Sequence, residues 1–228
     1  MRAGNGVMTF EDLKNYQAQR RKPIHGVYRG YDLYGPPPPS PGGICLVEML
    51  NILEPLELRQ HGRNSAEAMH FTIEAMQRAY CDRARHLGDP DFVALPAHLT
   101  DKAYAQELSK NIPAWKATQS ESLAPDIPVV GEGNHTTHFS VLDEHGMAVS
   151  NTYTLEESYG SKIVVRGAGF LLNNEMTDFS FEPVDSDGQA IANRVEGGKR
   201  PRSSMAPTIV LDDKGEVEAV TGSPGGSR

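Results

Sequence analysis

Thr136-Thr-His-Phe-Ser-Val-Leu-Asp-Glu-His-Gly-Met-Ala-Val-Ser-Asn-Thr-Tyr-Thr154 holds two runs rich in Thr, Val and aromatic residues around Glu144-His145-Gly146, the pattern of a β-hairpin. Its strands are expected from Thr136 to Asp143 and from Met147 to Leu155. Ahead of it, residues 113–133 carry Pro113, Pro125 and Pro128, several Ser and Thr and little hydrophobic periodicity. That composition predicts an exposed linker, so the hairpin begins where the chain is open to cutting. Beyond it, strands are expected at Gly169 to Leu172, Thr208 to Leu211 and Glu216 to Thr221, with a turn at Asp212-Asp213-Lys214-Gly215.

Upstream of the linker, helical signals dominate. Thr9 with Asp12 has the form of a capped start for a short helix to about Gln17. Val27, Tyr28, Tyr31, Leu33 and Tyr34 surround an Arg29-Gly30 turn and predict two short strands. Pro36 to Pro39, followed by Ser40, Pro41, Gly42 and Gly43, read as a stiff extended connector. A helix from Gly43 through Leu53 is apolar nearly all round and expected to be buried, with Pro55 as its stop. Asn64 and Glu67 suggest a second capped start. In the helix that follows, Met69, Ile73, Met76 and Tyr80 form one stripe and Ala68, Thr72, Ala75 and Ala79 another. Packing on both sides is expected, with the Met stripe in the core. Gly88 to Phe92 reads as a turn, and Thr100 as the cap of a helix to about Ser109. Helices followed by strands define an α+β chain, mostly helical over 1–135 and strand-rich over 136–228, the two forming one structural domain.

The 228 residues are 38% hydrophobic and 23% charged, ordinary for a soluble globular protein, and no internal repeat is evident. A net charge of -8 argues against a nucleic-acid partner, which needs clustered Lys and Arg. Arg20-Arg21-Lys22 reads as a solvated surface patch. No run of roughly 18 apolar residues predicts a membrane span, and Met1 to Gly6 lacks the apolar middle of a secretory signal. Cys45 and Cys81 lie in helical stretches without metal-ligand spacing and read as buried thiols, a disulfide being left open.

Three polar clusters stand out in the strand-rich half: Thr136 to Glu156, Asn173 to Asp178, and Ser203-Ser204 with Gly222-Ser-Pro-Gly-Gly-Ser227. Each also has a purely structural reading, since threonine suits strands and Asn, Ser and Gly suit turns. Together and in this order they resemble the γ-glutamyltransferase (γ-glutamyltranspeptidase) family of N-terminal-nucleophile hydrolases. The resemblance covers nearly the whole chain. It is carried by Tyr28-Arg-Gly-Tyr31, the proline run, Asn51-Ile-Leu-Glu54, Leu87-Gly-Asp-Pro-Asp-Phe92, Thr136-Thr-His-Phe-Ser140, Leu171-Leu-Asn-Asn-Glu-Met176, Lys199-Arg-Pro-Arg-Ser-Ser-Met205 and Thr221-Gly-Ser-Pro-Gly-Gly-Ser-Arg228.

The resemblance implies the αββα sandwich of that superfamily, incomplete here, and a precursor that cuts itself between His135 and Thr136. Thr136 then becomes the first residue of a small subunit and the nucleophile. Its freed α-amine, with an ordinary pKa of about 7.7 to 8.0, serves as the base. By the same resemblance Thr154 tunes Thr136, and the backbone amides of Gly225 and Gly226 form the oxyanion hole. Glu156, Glu175 and Asp178 match positions that bind the substrate α-ammonium, and Ser203 and Ser204 those that bind its α-carboxylate. Glu156 and Glu175 stand where the family also has Asn or Gln.

The implied reaction is γ-glutamyl transfer from glutathione or a similar compound to water, an amino acid or a peptide, with no metal or organic cofactor. Partners are the two subunits left by the cut; no nucleic acid or membrane span is expected. His138 reads as a packed or hydrogen-bonded residue, not a ligand. The family's chains are longer, so this one is expected to be a fragment with little activity alone. The export signal and an arginine for the α-carboxylate are expected outside it, and the location is expected to be periplasmic or extracellular. The alternatives are a cephalosporin or glutaryl acylase and a non-catalytic association subunit.

Overall fold

Residues 6–125, 127 and 135–225 are described by a computed structural model. A capping box starts α1 (Phe10–Asn15): Thr9 Oγ1 accepts the Asp12 amide at 3.2 Å, and the Asp12 carboxylate accepts the Thr9 amide at 2.7 Å. β1 (Ile24–Tyr28) and β2 (Tyr31–Gly35) follow as an antiparallel hairpin. Its turn residues Arg29 and Gly30 both have positive φ, 51° and 89°, the backbone twist that two-residue hairpin turns favour.

α2 (Gly42–Leu53) lies against this hairpin so closely that a Cβ on Gly26 would sit 2.5 Å from Val47 Cγ2. Past Leu53 the chain tightens into a 3-10 turn, Glu54–Leu56, which holds Pro55. α3 (Ala66–His86) is capped by Ser65, whose Oγ accepts the Ala68 amide at 3.1 Å. Asn64, the expected cap, instead takes φ 61°, a left-handed conformation that Asn tolerates.

Of the two stripes of α3 expected to pack, the alanine stripe turns inward and the Met stripe does not. Ala75 and Ala79 are fully buried, whereas Met69, Ile73 and Met76 are 55%, 51% and 40% exposed. Small residues let α2 approach closely, with Ile44, Cys45, Leu87 and Leu99 packed around Ala79 and Ile52, Leu53, Ala105 and Ile112 around Ala75. The same interior holds Glu48, whose carboxyl burial first, and Asp82 second, push up to about 9, so it sits in the core as a neutral acid.

α4 (Lys102–Lys110) follows a 3-10 turn, Ala97–Thr100. Asp101, not Thr100, occupies its cap position; the Thr100 carbonyl accepts Asn51 Nδ2 at 3.0 Å. Of the segment 113–133 expected to be an exposed linker, residues 126 and 128–133 lie outside the described residues; the rest is mostly exposed, but it contains α5 (Ser120–Leu123) and is tied down where Thr118 donates to the Glu74 carboxylate from its amide at 2.7 Å and its hydroxyl at 2.6 Å. Trp115 in this segment is 86% exposed. Cys45 is buried and Cys81 only half-buried, both as thiols. Of the expected solvated patch, Arg20 and Lys22 are exposed, whereas Arg21 is half-buried and forks onto Asp91 at 2.5 and 3.1 Å.

β3 (Thr136–Leu142) and β4 (Ala148–Thr154) form the hairpin, and Asp143 Oδ1 closes its turn by accepting the His145 and Met147 amides at 2.9 and 2.8 Å. β5 (Thr208–Leu211) and β6 (Val217–Thr221) pair antiparallel and extend the first hairpin into a sheet of order β1-β2-β5-β6. The β3–β4 hairpin is stitched to that sheet by hydroxyls, Ser140 Oγ to the Val220 carbonyl at 3.0 Å and Ser150 Oγ to the Thr221 carbonyl at 2.8 Å. Between Leu155 and Pro207 the chain is largely irregular, and the strand expected at Gly169 to Leu172 is reduced to a single bridge between Val164 and Leu171. Helix and antiparallel sheet together give the mixed α+β architecture.

Candidate active site

The hairpin register sets Thr136 directly opposite Thr154 at the open end, because side chains of directly paired residues share a face. Thr154 Oγ1 donates to the His135 carbonyl at 2.7 Å and accepts the Glu156 amide at 2.9 Å. A hydroxyl donor therefore sits on the carbonyl of the peptide bond that precedes Thr136. The same strand face carries His138, whose ring nitrogens lie 2.7 Å from Thr152 Oγ1 and 3.0 Å from Ser140 Oγ, so it is hydrogen-bonded within the sheet as expected.

His135, Thr136, Thr154, Glu157, Pro224 and Gly225 line a cleft of about 560 Å³. Gly225 reaches it just past β6 with φ 87°, a conformation natural to glycine. Gly226 lies outside the described residues. The end of β6 is held close: a Cβ on Gly222 would fall 2.2 Å from His138 Cε1.

Past β4, Glu156 adopts φ 74° as the chain turns away. Asn174 fixes that bend, donating from Nδ2 to Glu156 Oε2, accepting the Glu157 amide on Oδ1 at 3.1 Å, and donating its own amide to the Leu155 carbonyl at 3.1 Å. The next residues form a 3-10 turn, Glu175–Asp178. Burial foremost, then the hydrogen bond and charge of Asp178 and the charge of Glu156, push the Glu175 carboxyl up to about 8. Three carboxylates thus feel one another, and one carries a proton at neutral pH.

Ser203 and Ser204 are held apart from this cluster. Ser203 donates its amide to the Pro39 carbonyl at 3.3 Å, and Ser204 Oγ accepts Arg83 Nη2 at 2.6 Å. Neither serine, nor Glu156, Glu175 or Asp178, is among the described residues lining the Thr136 cleft. The structure therefore gathers the residues into three places: Thr136, Thr154 and Gly225 in the cleft, the three acids around Asn174, and the adjacent serines, with Ser203 on Pro39 and Ser204 on Arg83. Among the described residues no group of three or more His, Cys, Asp or Glu side chains is arranged to hold a metal ion. Sequence reading assigned no role to Asn174, Arg83 or Asn193. Asn174 stands inside a motif already quoted, whereas Arg83 and Asn193 carry no local signal.

Comparison with known proteins gives this arrangement its class: the chain belongs to the gamma-glutamyltranspeptidase family, which it matches over residues 1–228. Among particular relatives, it is 48% identical over 233 residues to the glutathione hydrolase proenzyme of Escherichia coli (strain K12), a match covering 100% of this chain and 40% of that protein. It is 39% identical over 229 residues to the acylase ACY 1 proenzyme of Pseudomonas sp. (strain SE83), covering 100% of this chain and 39% of that protein. The solved cephalosporin acylase from Bacillus halodurans superposes with a TM-score of 0.74 at 25% identity, over 94% of this chain and 37% of that one. The chain thus spans about 40% of the length of the curated relatives it matches. No helix among the described residues is long and apolar enough to cross a membrane.

Proposed function

We propose that this chain carries the self-cleavage bond and most of the active centre of an enzyme that moves a γ-glutamyl group from glutathione, or a similar compound, to water or to an amino acid or peptide. The observation that carries this reading is the Thr154 hydroxyl on the His135 carbonyl at 2.7 Å. Such a donor polarises the carbonyl and stabilises the oxyanion that forms on it. Thr136 Oγ1 attacks that carbon, the C–N bond to Thr136 breaks, and its nitrogen takes the proton that the hydroxyl gives up. Water then hydrolyses the resulting ester and leaves Thr136 with a free α-amine.

In turnover the amine accepts the Thr136 hydroxyl proton while Oγ1 attacks the γ-carbonyl of the donor. The oxyanion faces the backbone amides of Gly225 and Gly226, the leaving amine takes the proton, and a γ-glutamyl-threonine ester remains for water or an acceptor amine. Glu156, Glu175 and Asp178 hold the donor's α-ammonium, and Ser203 and Ser204 its α-carboxylate. No step calls for a metal or organic cofactor.

The αββα sandwich belongs to the same proposal, with residues 1–135 from the large subunit and 136–228 from the small. The exposed apolar side of the hairpin, Phe139, Val141, Val149 and Tyr153, supports it as a surface on which another layer packs. A periplasmic or extracellular location is proposed on the family resemblance. The likeness to a cephalosporin acylase favours a second reading, removal of glutaryl-type side chains. A glutaryl group has no α-ammonium, and three acids around Asn174 weigh for the γ-glutamyl donor.

The test is the mass of the protein on incubation, paired with release of chromophore from a γ-glutamyl anilide. Products ending at His135 and starting at Thr136, absent from Thr136→Ala, are expected. A wild-type mass that stays intact would overturn the reading.

A further inference from the structure

Asn193 is 1% exposed, and its carboxamide joins two segments in opposite hydrogen-bond senses. Nδ2 donates to the Asp178 carbonyl at 2.7 Å, while Oδ1 accepts the Arg202 amide at 2.9 Å. A carbonyl on one side and an amide on the other leave only one orientation for the side chain. Its backbone carbonyl accepts the Ser180 amide at 2.9 Å, which anchors the bridge to the same strand of chain that leaves the acid turn.

The two bonded residues matter by position. Asp178 closes the turn that contains Glu175, and Arg202 directly precedes Ser203 and Ser204. The groups proposed for the α-ammonium and those proposed for the α-carboxylate are thus spaced by one short, planar, buried side chain. The far edge of the serine segment is fixed independently, by Pro39 through the Ser203 amide and by Arg83 through Ser204 Oγ. The flank of Asn193 is fixed as well: Lys199 Nζ donates to the Ala192 carbonyl at 2.8 Å, and a Cβ on Gly88 would lie 2.6 Å from that oxygen.

We propose that Asn193 is a positioning residue that sets the distance between the ammonium-binding acids and the carboxylate-binding serines, and thereby selects acyl donors bearing both charges on one carbon. This rests on the head-group assignment made above. Ammonium and carboxylate on a single carbon have a fixed separation, so both are held well only when the binding groups are placed to within about 0.5 Å. A donor with one of the two charges is free to shift and satisfy whichever subsite it meets. The spacing therefore affects the doubly charged donor most.

The experiment compares Asn193→Asp, Asn193→Leu and wild type in the full processed protein on three anilides: γ-glutamyl with both charges, glutaryl without the ammonium, and 4-aminobutanoyl without the carboxylate. Asn193→Asp keeps the acceptor for Arg202 and loses the donor to Asp178; Asn193→Leu loses both. The expected result is a rise in KM of about tenfold for the γ-glutamyl anilide, with kcat changed by less than about threefold and the two singly charged donors affected by less than about twofold. Should either variant fail to fold, Asn193→Ser, with donor and acceptor on a shorter arm, is read by the same ratio. An equal fall on all three donors would overturn the proposal and make Asn193 a general folding staple. A wild-type protein that does not prefer the γ-glutamyl anilide to the other two would instead overturn the head-group assignment beneath it.

Discussion

Replacing Thr154 with Val should slow cutting before Thr136 by two to three orders of magnitude. Valine keeps the β-branched shape that suits β4 and removes only the hydroxyl, so the change isolates two hydrogen bonds. The first is the one to the His135 carbonyl at 2.7 Å. Removing one donor from a developing oxyanion costs about 2.7–4 kcal/mol, a factor of about 10² to 10³ in rate. The second is the one from the Glu156 amide at 2.9 Å, whose loss costs on the order of 1 kcal/mol of stability and nothing directly in the chemical step. Thr154→Ser keeps both bonds and should process within about threefold of wild type. The assay is a time course of the intact mass against the fragment starting at Thr136, begun when the chain folds. Processing of the Val variant within threefold of wild type would refute the argument that this hydroxyl polarises the scissile carbonyl. A Ser variant as slow as Val would move the cause to packing.

Glu175 gives a pH-dependent expectation. Its folded pKa is raised to about 8 from 4.5, so its contribution to stability is fully present below the unfolded value and is lost as pH rises towards and through 8. Ionisation prepares it for the α-ammonium, so KM for a γ-glutamyl anilide should fall between about pH 6 and pH 8, and Glu175→Gln should flatten that slope; an unchanged slope in the variant would exclude this group. Gly222→Ala should lower the melting temperature, because its Cβ would meet the His138 ring at 2.2 Å. Overpacking of this kind costs about 1–3 kcal/mol, and a variant melting with wild type would show that the ring yields without loss.

What was legible in the sequence was local. The Thr9–Asp12 box, the two hairpin turns of β1–β2 and β3–β4, and the Asp212 turn are each set by residues within a few positions of one another, and each formed where expected. The Thr136–Thr154 pair was legible for the same reason, since a hairpin turn fixes its own register. The outward turn of the Met stripe of α3 was not. Both of its stripes have helical period, and the choice depends on which side α2 approaches, a non-local fact settled by the small Ala75 and Ala79. Ser65 and Asn64 are adjacent cap formers, and only the backbone conformation decides between them. Asn193 was illegible because its bonds reach Asp178 and Arg202 through irregular chain, where neither period nor turn chemistry ties one residue to another.

The sheet order β1-β2-β5-β6 takes its first two strands from before residue 135 and its last two from after residue 136. The seam between them is a run of antiparallel pairs, Asp32 with Leu211, Leu33 with Val210 and Tyr34 with Ile209. A break at the 135/136 bond therefore severs connectivity without opening any contact in the sheet. The two polypeptides that result can part only by tearing a sheet through its middle, exposing its backbone hydrogen bonds and the buried Leu33 at once. Scission there would be a change of covalent topology that leaves the interior whole, and it would deliver the new chain end at the start of a strand already locked in register.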